Sequence, residues 1–289
     1  MSFAELAQMM LTGLSLGLMY ALIAIGLTLI FGVMRIVQYG HGEMYMLGAF
    51  FLYFWTVEWG LPYWLGVLAT AGVIFAFGAV LQKILFKPLH GKHMLFSLAV
   101  GLGLIFILSS AGQMAFGTTV KGIPGFVTGG VVWTGGYLSY ERLVISLVSA
   151  LLVLGLWLFL KQTRTGMAIR AVSEDPETSA LQGVRTGRIH WVAFGIGSAL
   201  AGIAGCLMGT LLSIVPTMGF VATIKAFMIV IMGGLGSIPG ALIGGLILGM
   251  IDSVVTTTIS ADIAIIMSFV VIFLVLVLRP AGLFGQHWT

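Results

Sequence analysis

Residues 161–188 read KQTRTGMAIRAVSEDPETSALQGVRTGR and hold Lys161, Arg164, Arg170, Glu174, Asp175, Glu177, Arg185 and Arg188. The chain has only 13 Lys and Arg and 9 Asp and Glu, so more than a third of its charge falls in this one stretch. On both sides the sequence is oily. Residues 9–33, MMLTGLSLGLMYALIAIGLTLIFGV, carry no charge at all. The chain is 60% hydrophobic and 8% charged, with a mean hydropathy of +1.15, where a soluble domain is about 25% charged. Such a chain cannot cover itself with polar groups in water, so its solvent is lipid. The expected fold is an all-α polytopic membrane protein of about eight to nine transmembrane helices with Gly-rich breaks, a single domain over 1–289.

Spans are expected near 9–33, 44–58, 63–86, 94–116, 142–160, 190–213, 220–234, 239–258 and 262–279, the second and seventh being short for the ~20 residues a crossing needs. The 41 glycines suit closely packed helices. Cys206, the only cysteine, has no internal disulfide partner. No basic region precedes the first span, so no cleavable signal is expected. Arg35, Lys83, Lys87, Lys92, Lys161, Arg164, Arg170, Arg185, Arg188 and Arg279 collect on one side, and Lys121, Arg142 and Lys225 on the other. Basic loops stay inside. Segment 161–188 and the C-terminus are therefore cytoplasmic; nine spans put the N-terminus outside, and counting one break as a re-entrant loop flips it. The net charge of +4 reflects this orientation, not nucleic-acid binding. Loop 117–140, rich in Gly, Thr and aromatics, reads as a partly ordered extracytoplasmic hairpin. Spans one to three and seven to nine share Gly-rich breaks and end at Phe86-Lys87-Pro88 and Leu278-Arg279-Pro280, a hint of internal repetition with the solute path between repeats.

Within 161–188, Asp175 can cap the first free amides of a short helix, with Pro176 at N1 and Glu177 against the positive end. Gly183 can take the left-handed conformation that stops it. Two turns are not stable alone in water, so they dock on the bundle or on a partner. The other reading is a solvated loop between spans five and six. Two Gly-rich breaks also stand out. His41-Gly42-Glu43 puts an imidazole and a carboxylate at a span boundary, as pathway lining or as an interfacial cap; a lone HxE pair is not a metal site. Gly233, Gly234, Gly236, Ser237 and Pro239 interrupt a run that starts at Phe220 and is too short to span. A mid-membrane break is expected there, with the next helix's N-terminus pointing inward; a tight cytoplasmic turn is the alternative. The stripes Gly197, Ala201, Gly205, Gly209 and Gly240-Gly244, Gly245-Gly249 read as helix contacts. Lys225 is expected to snorkel outward, and Asp252 to face the bundle or the pathway.

Four separated stretches carry a family resemblance. Tyr20-Ala21-Leu22-Ile23-Ala24-Ile25-Gly26 with His41-Gly42-Glu43 and Tyr45-Met46-Leu47-Gly48, then Arg170 to Asp175 with Ala180-Leu181-Gln182-Gly183-Val184, then Lys225-Ala226-Phe227 with residues 233–241, then Arg279-Pro280-Ala281-Gly282-Leu283-Phe284-Gly285: together they resemble Liv-type permeases of branched-chain amino acid ABC importers. The resemblance implies a bacterial inner-membrane subunit paired with a second related permease, two cytoplasmic ATPases that carry ATP and Mg, and an extracytoplasmic binding protein. This chain would itself bind no cofactor. Arg170, Glu174, Asp175, Glu177, Thr178, Leu181 and Gly183 would form the ATPase-coupling region, and His41, Gly42, Glu43 with the 233–239 residues the pathway. Gln38-Tyr39-Gly40 departs from the family's Asn-Phe-Ala, which leaves amides or urea open as solutes beside leucine, isoleucine and valine. No G-x-x-x-x-G-K-[ST] loop is present. Two rival classes are an intramembrane enzyme using His41, Glu43 and Asp252, and a passive channel.

Overall fold

The computed structural model describes residues 3–89, 91–133 and 136–285. In these, eleven α-helices and one hairpin follow in order: α1 (Phe3–Met34), α2 (His41–Tyr53), α3 (Tyr63–Leu81), α4 (Met94–Phe116), β1 (Gly130–Trp133), β2 (Gly136–Ser139), α5 (Tyr140–Gln162), α6 (Arg164–Glu174), α7 (Pro176–Leu181), α8 (Thr186–Leu211), α9 (Met218–Gly233), α10 (Ile238–Thr258) and α11 (Ala261–Leu278). Seven are long and apolar enough to cross a bilayer on their own. The other two expected crossings are the short ones, α2, which a π-turn extends to Glu58, and α9, of 16 residues.

α1 is the axis of the bundle. Its 32 residues reach about 48 Å, and from Met19 to Ile30 nearly every side chain is fully buried. A helix apolar on every face belongs inside. α10 and α8 pack along it, and α9 and α5 complete its surroundings; α2 and α3 lie on α8. α11, equally apolar, buries only Ala264, Ser268 and Ile272 and leaves most of its other side chains exposed. The glycine stripes serve these internal seams. Gly197 meets the backbone of Gly26 on α1, and Gly205 that of Tyr45 on α2. Gly245 and Gly249 face α1, while Gly240 and Gly244 face α9.

The bundle has a basic end and a hairpin end. At the hairpin end β1 and β2 pair antiparallel, from Gly130↔Ser139 to Trp133↔Gly136. The Gln8 amide donates to the Tyr137 carbonyl at 2.7 Å, and Arg142 to the Thr12 hydroxyl at 3.2 Å. The hairpin expected in loop 117–140 is therefore present and tied to α1 and α5. Lys225 is not at that surface. It forms an ion pair with Asp252 inside the bundle, because α9 presents it to α1 and α10 rather than to the interface.

Two other expectations fail. The break at 233–240 is a tight turn at the basic end. Gly234 and Gly236 take left-handed φ values of +104° and +83°. The Ser237 hydroxyl accepts from the Gly240 amide at 3.2 Å to start α10. The turn sits level with Gly32, near the end of α1. The C-terminal Arg-Pro-Ala-Gly segment folds back so that Leu283 and Phe284 donate to the carbonyls of Met232 and Gly233 at 2.9 and 3.0 Å. These bonds satisfy carbonyls that a helix end leaves open. The repeat fails in packing: α9 and α10 run side by side after their turn, whereas α2 meets α1 mainly at its first residue, His41, because residues 35–40 run back along α1 before α2 begins.

Candidate functional site

Residues 35–40 form the break that enters the bundle. Arg35 is the one non-glycine residue with positive φ, +52°, among those described. Its amide donates to the Phe31 carbonyl at 2.7 Å, and the left-handed conformation reverses the chain. His41, the first residue of α2, then places Nε2 3.1 Å from the carbonyl of Ile23. Ile23 precedes the end of α1 by eleven residues, about 16 Å of rise. Six extended residues reach about 20 Å, so segment 35–40 climbs back nearly straight to the middle of α1. Non-helical backbone at that depth must be buried in protein, and Ile36, Val37, Gln38 and Gly40 are buried. Tyr39 stacks on Phe227 of α9 at 4.7 Å between ring centroids.

The polar groups freed by the break meet one another. Thr223 Oγ1 accepts from the Gly42 amide at 3.1 Å and lies 3.2 Å from the Tyr39 carbonyl and 3.0 Å from that of Gly219. The Ile23 carbonyl requires a hydrogen on His41 Nε2. The ring's Nδ1 stands 3.3 Å from the side-chain Oε1 of Gln38. Glu43 of α2, only 1% exposed, packs its carboxylate against Gly219 in the first turn of α9. A Cβ on Gly219 would sit 2.7 Å from its Oε1. Its Oε2 has no hydrogen-bond partner. The N-termini of α2 and α9 thus converge on one carboxylate, with their positive ends toward it.

A second buried polar group joins four helices. Asp252 of α10 pairs with Lys225 of α9, accepts from Tyr20 of α1 at 2.9 Å and from Ser268 of α11 at 3.3 Å. Lys225 also donates to the Tyr20 hydroxyl at 2.7 Å and stands 4.5 Å over its ring.

At the basic end, α6 docks on the bundle through Gly166, Ile169 and Val172, a spacing of three that keeps them on one face. α7 follows. Asp175 Oδ1 accepts from the amides of Glu177 and Thr178, both at 3.0 Å. The Thr178 hydroxyl, which also bonds Asp175, those amides and the nearby Arg35 hold the carboxyl below the usual aspartate range. Gly183 ends the helix at φ +85°. Ser179 is buried, while Arg170, Glu174, Asp175, Glu177, Thr178 and Gly183 face solvent. Leu181 is 89% exposed.

A family model described as "Branched-chain amino acid transport system / permease component" matches residues 9–278. The chain belongs to this family. It is 33% identical to the "High-affinity branched-chain amino acid transport system permease protein BraD" of Pseudomonas aeruginosa, over 96% of this chain and 95% of BraD. It is 32% identical to the corresponding LivH of Escherichia coli strain K12, over 83% of each. It is also 27% identical to a second permease of that organism, LivM, over 77% of this chain and 58% of LivM. The branched-chain amino acid permeases are transport components, so this chain is a multi-pass transport subunit and not an enzyme. The reading of His41, Glu43 and Asp252 as catalytic falls with that, and Asp252 is in any case engaged by Lys225, Tyr20 and Ser268.

In this permease the two sequence breaks do not form one site. His41, Gly42 and Glu43 come together at mid-bundle. Gly233 ends α9 ten residues beyond Thr223, about 15 Å along the axis, and Gly234, Gly236, Ser237 and Pro239 follow it in the turn and the start of α10. Thr223, Gly219 and Gln38 join the first site without any motif of their own. A hydroxyl four residues after a glycine, in a run as apolar as 218–233, is the signal that marks them.

Proposed function

We propose that this permease forms half of the membrane-spanning core of an ATP-driven importer. Its cargo is a branched-chain amino acid or a chemically related small polar solute. The solute class follows the names of BraD, LivH and LivM. The partners are a second related permease, two cytoplasmic ATPases carrying ATP and Mg, and an extracytoplasmic binding protein. Excess Lys and Arg put the basic end and the C-terminus in the cytoplasm of a bacterial inner membrane. Loop 117–140 faces the other side.

One observation carries the coupling role: α7 is capped by Asp175 and ended by Gly183, yet Leu181 and the carboxylates of Glu174 and Glu177 face solvent. An exposed leucine beside acidic groups suits a groove with an apolar floor and basic walls. The ATPases seat there on Arg170, Glu174, Asp175, Glu177, Thr178, Leu181 and Gly183. Displacement of α6 reaches α1, on which α6 packs, and α1 runs directly into Arg35 and the climbing segment. ATPase closure therefore acts on the break at His41-Gly42-Glu43, where the solute passes. The turn at 233–240 holds α9 to α10 and is not part of the solute path in this reading.

Co-purification from solubilised membranes tests this. Alanine at Glu174, Asp175 and Leu181 should release the ATPases while the permease still folds; retained ATPases would sink the coupling role. A second solute class, amides or urea, is favoured by one feature: Gln38, within the family's departure from Asn-Phe-Ala, stands against His41 in the break. Competition of labelled leucine uptake by acetamide and urea separates the two.

A further inference from the structure

Glu43 is a buried carboxylate with neither a hydrogen bond nor an ion pair among the described residues. An ionised carboxylate removed from water and left unpaired is strongly disfavoured. The nearest cation on α9, Lys225, is committed to Asp252 and Tyr20. The convergent N-termini of α2 and α9 supply partial positive charge but no ion. The carboxylate therefore takes up either a proton or an incoming cation. Gly42 and Gly219 bring the backbones of α2 and α9 into close contact, and across this seam, among the described residues, only the Thr223 hydroxyl bonds Gly42 and Tyr39. Apolar groups flank the carboxylate's neighbourhood: Tyr39 on Phe227, and Leu104 against Gly40.

We infer that Glu43 receives the ammonium group of the transported amino acid when the α2–α9 seam opens, a specificity-determining role that rests on amino-acid import as proposed above. An ammonium brings a positive charge and three donors to a carboxylate that has none. The apolar flank suits an aliphatic side chain. A solute without an ammonium leaves the carboxylate unpaired and is rejected by the same cost.

The test uses the whole assembly, with second permease, ATPases and binding protein, in proteoliposomes given ATP and labelled leucine. Uptake and ATPase stimulation by leucine-loaded binding protein are both read. Glu43→Gln should lower leucine uptake about tenfold or more, the worth of a hydrogen bond to a charged group, while ATPase stimulation persists. Glu43→Asp should restore part of the uptake. Uptake by Glu43→Gln within twofold of wild type would overturn the inference and show that a proton alone satisfies the carboxylate. Should Glu43→Gln fail to assemble, Glu43→Asp decides: a raised KM for leucine supports the role, and an unchanged KM refutes it. Wild-type vesicles that take up no leucine, isoleucine or valine refute amino-acid import itself and remove the inference with it.

Discussion

Removing one partner of the Lys225–Asp252 pair should destabilise the permease, and removing both should largely cancel the damage. An isolated Lys or Asp at the centre of a membrane helix costs about 2.5–3.5 kcal/mol. Lys225→Met leaves the Asp252 carboxylate with two hydroxyl donors, Tyr20 and Ser268. Each hydrogen bond in a membrane bundle is worth about 0.6 kcal/mol, so the net cost is about 2 kcal/mol. Asp252→Leu leaves Lys225 with the hydroxyl and ring face of Tyr20 and a similar cost. The double variant strands neither charge and loses only the bonds of Tyr20 and Ser268 to Asp252, about 1 kcal/mol in all, so the cycle should show a coupling of about 3 kcal/mol, the upper end for residues in contact. Reversible unfolding of the purified permease in mixed micelles, followed by helical circular dichroism, measures all four corners. A double variant as unstable as the two singles added together would refute the reasoning, because it would mean that the two charges do not share one site.

Three further outcomes follow from particular contacts. Gly219→Ala places a Cβ 2.7 Å from Glu43 Oε1; vesicle uptake should fall sharply while membrane insertion, read by protease protection, stays normal. Arg35 sits at φ +52°, so Arg35→Val, with its β-branched side chain, should lower stability by about 1–2 kcal/mol, whereas Arg35→Asn should cost less; unfolding titrations compare the two. The Asp175 carboxyl is held below its ordinary range chiefly by the Thr178 hydroxyl. A depressed native pKa gives stability that is present above the unfolded value, about 3.9, and is lost as pH falls through the native one. ATPase binding to solubilised permease should therefore persist as pH is lowered to about 4, and Thr178→Val should move the loss to higher pH.

Much of this architecture is legible in the sequence, and the part that is not has a specific physical cause. Apolar length finds the crossings because a bilayer demands it. Asp175, Pro176 and Gly183 announce α7 because capping is local chemistry between neighbours. Depth is different. Residues 39–43 and 233–240 are both Gly-rich interruptions in apolar sequence, and composition ranks the second as the deeper because α9 is short. The structure reverses the order, and non-local features decide it. The turn at 233–240 is closed by carbonyl acceptors reached from Leu283 and Phe284, some fifty residues later in the chain. Segment 35–40 is drawn inward because the carbonyls of Ile23 and Tyr39 and the amide of Gly42 find His41 and Thr223 there. Lys225 is misjudged for the same reason: its partner is 27 residues away on the next helix. A polar group's position across a membrane is fixed by which orphan it satisfies, and that partner is set by packing between helices. The glycine stripes show which helices can approach closely enough to make such pairs, so the sequence does hold the seams. What it lacks is the register between them. That register places Glu43 opposite a residue with no side chain, where its carboxylate stays unpaired until something else pairs with it.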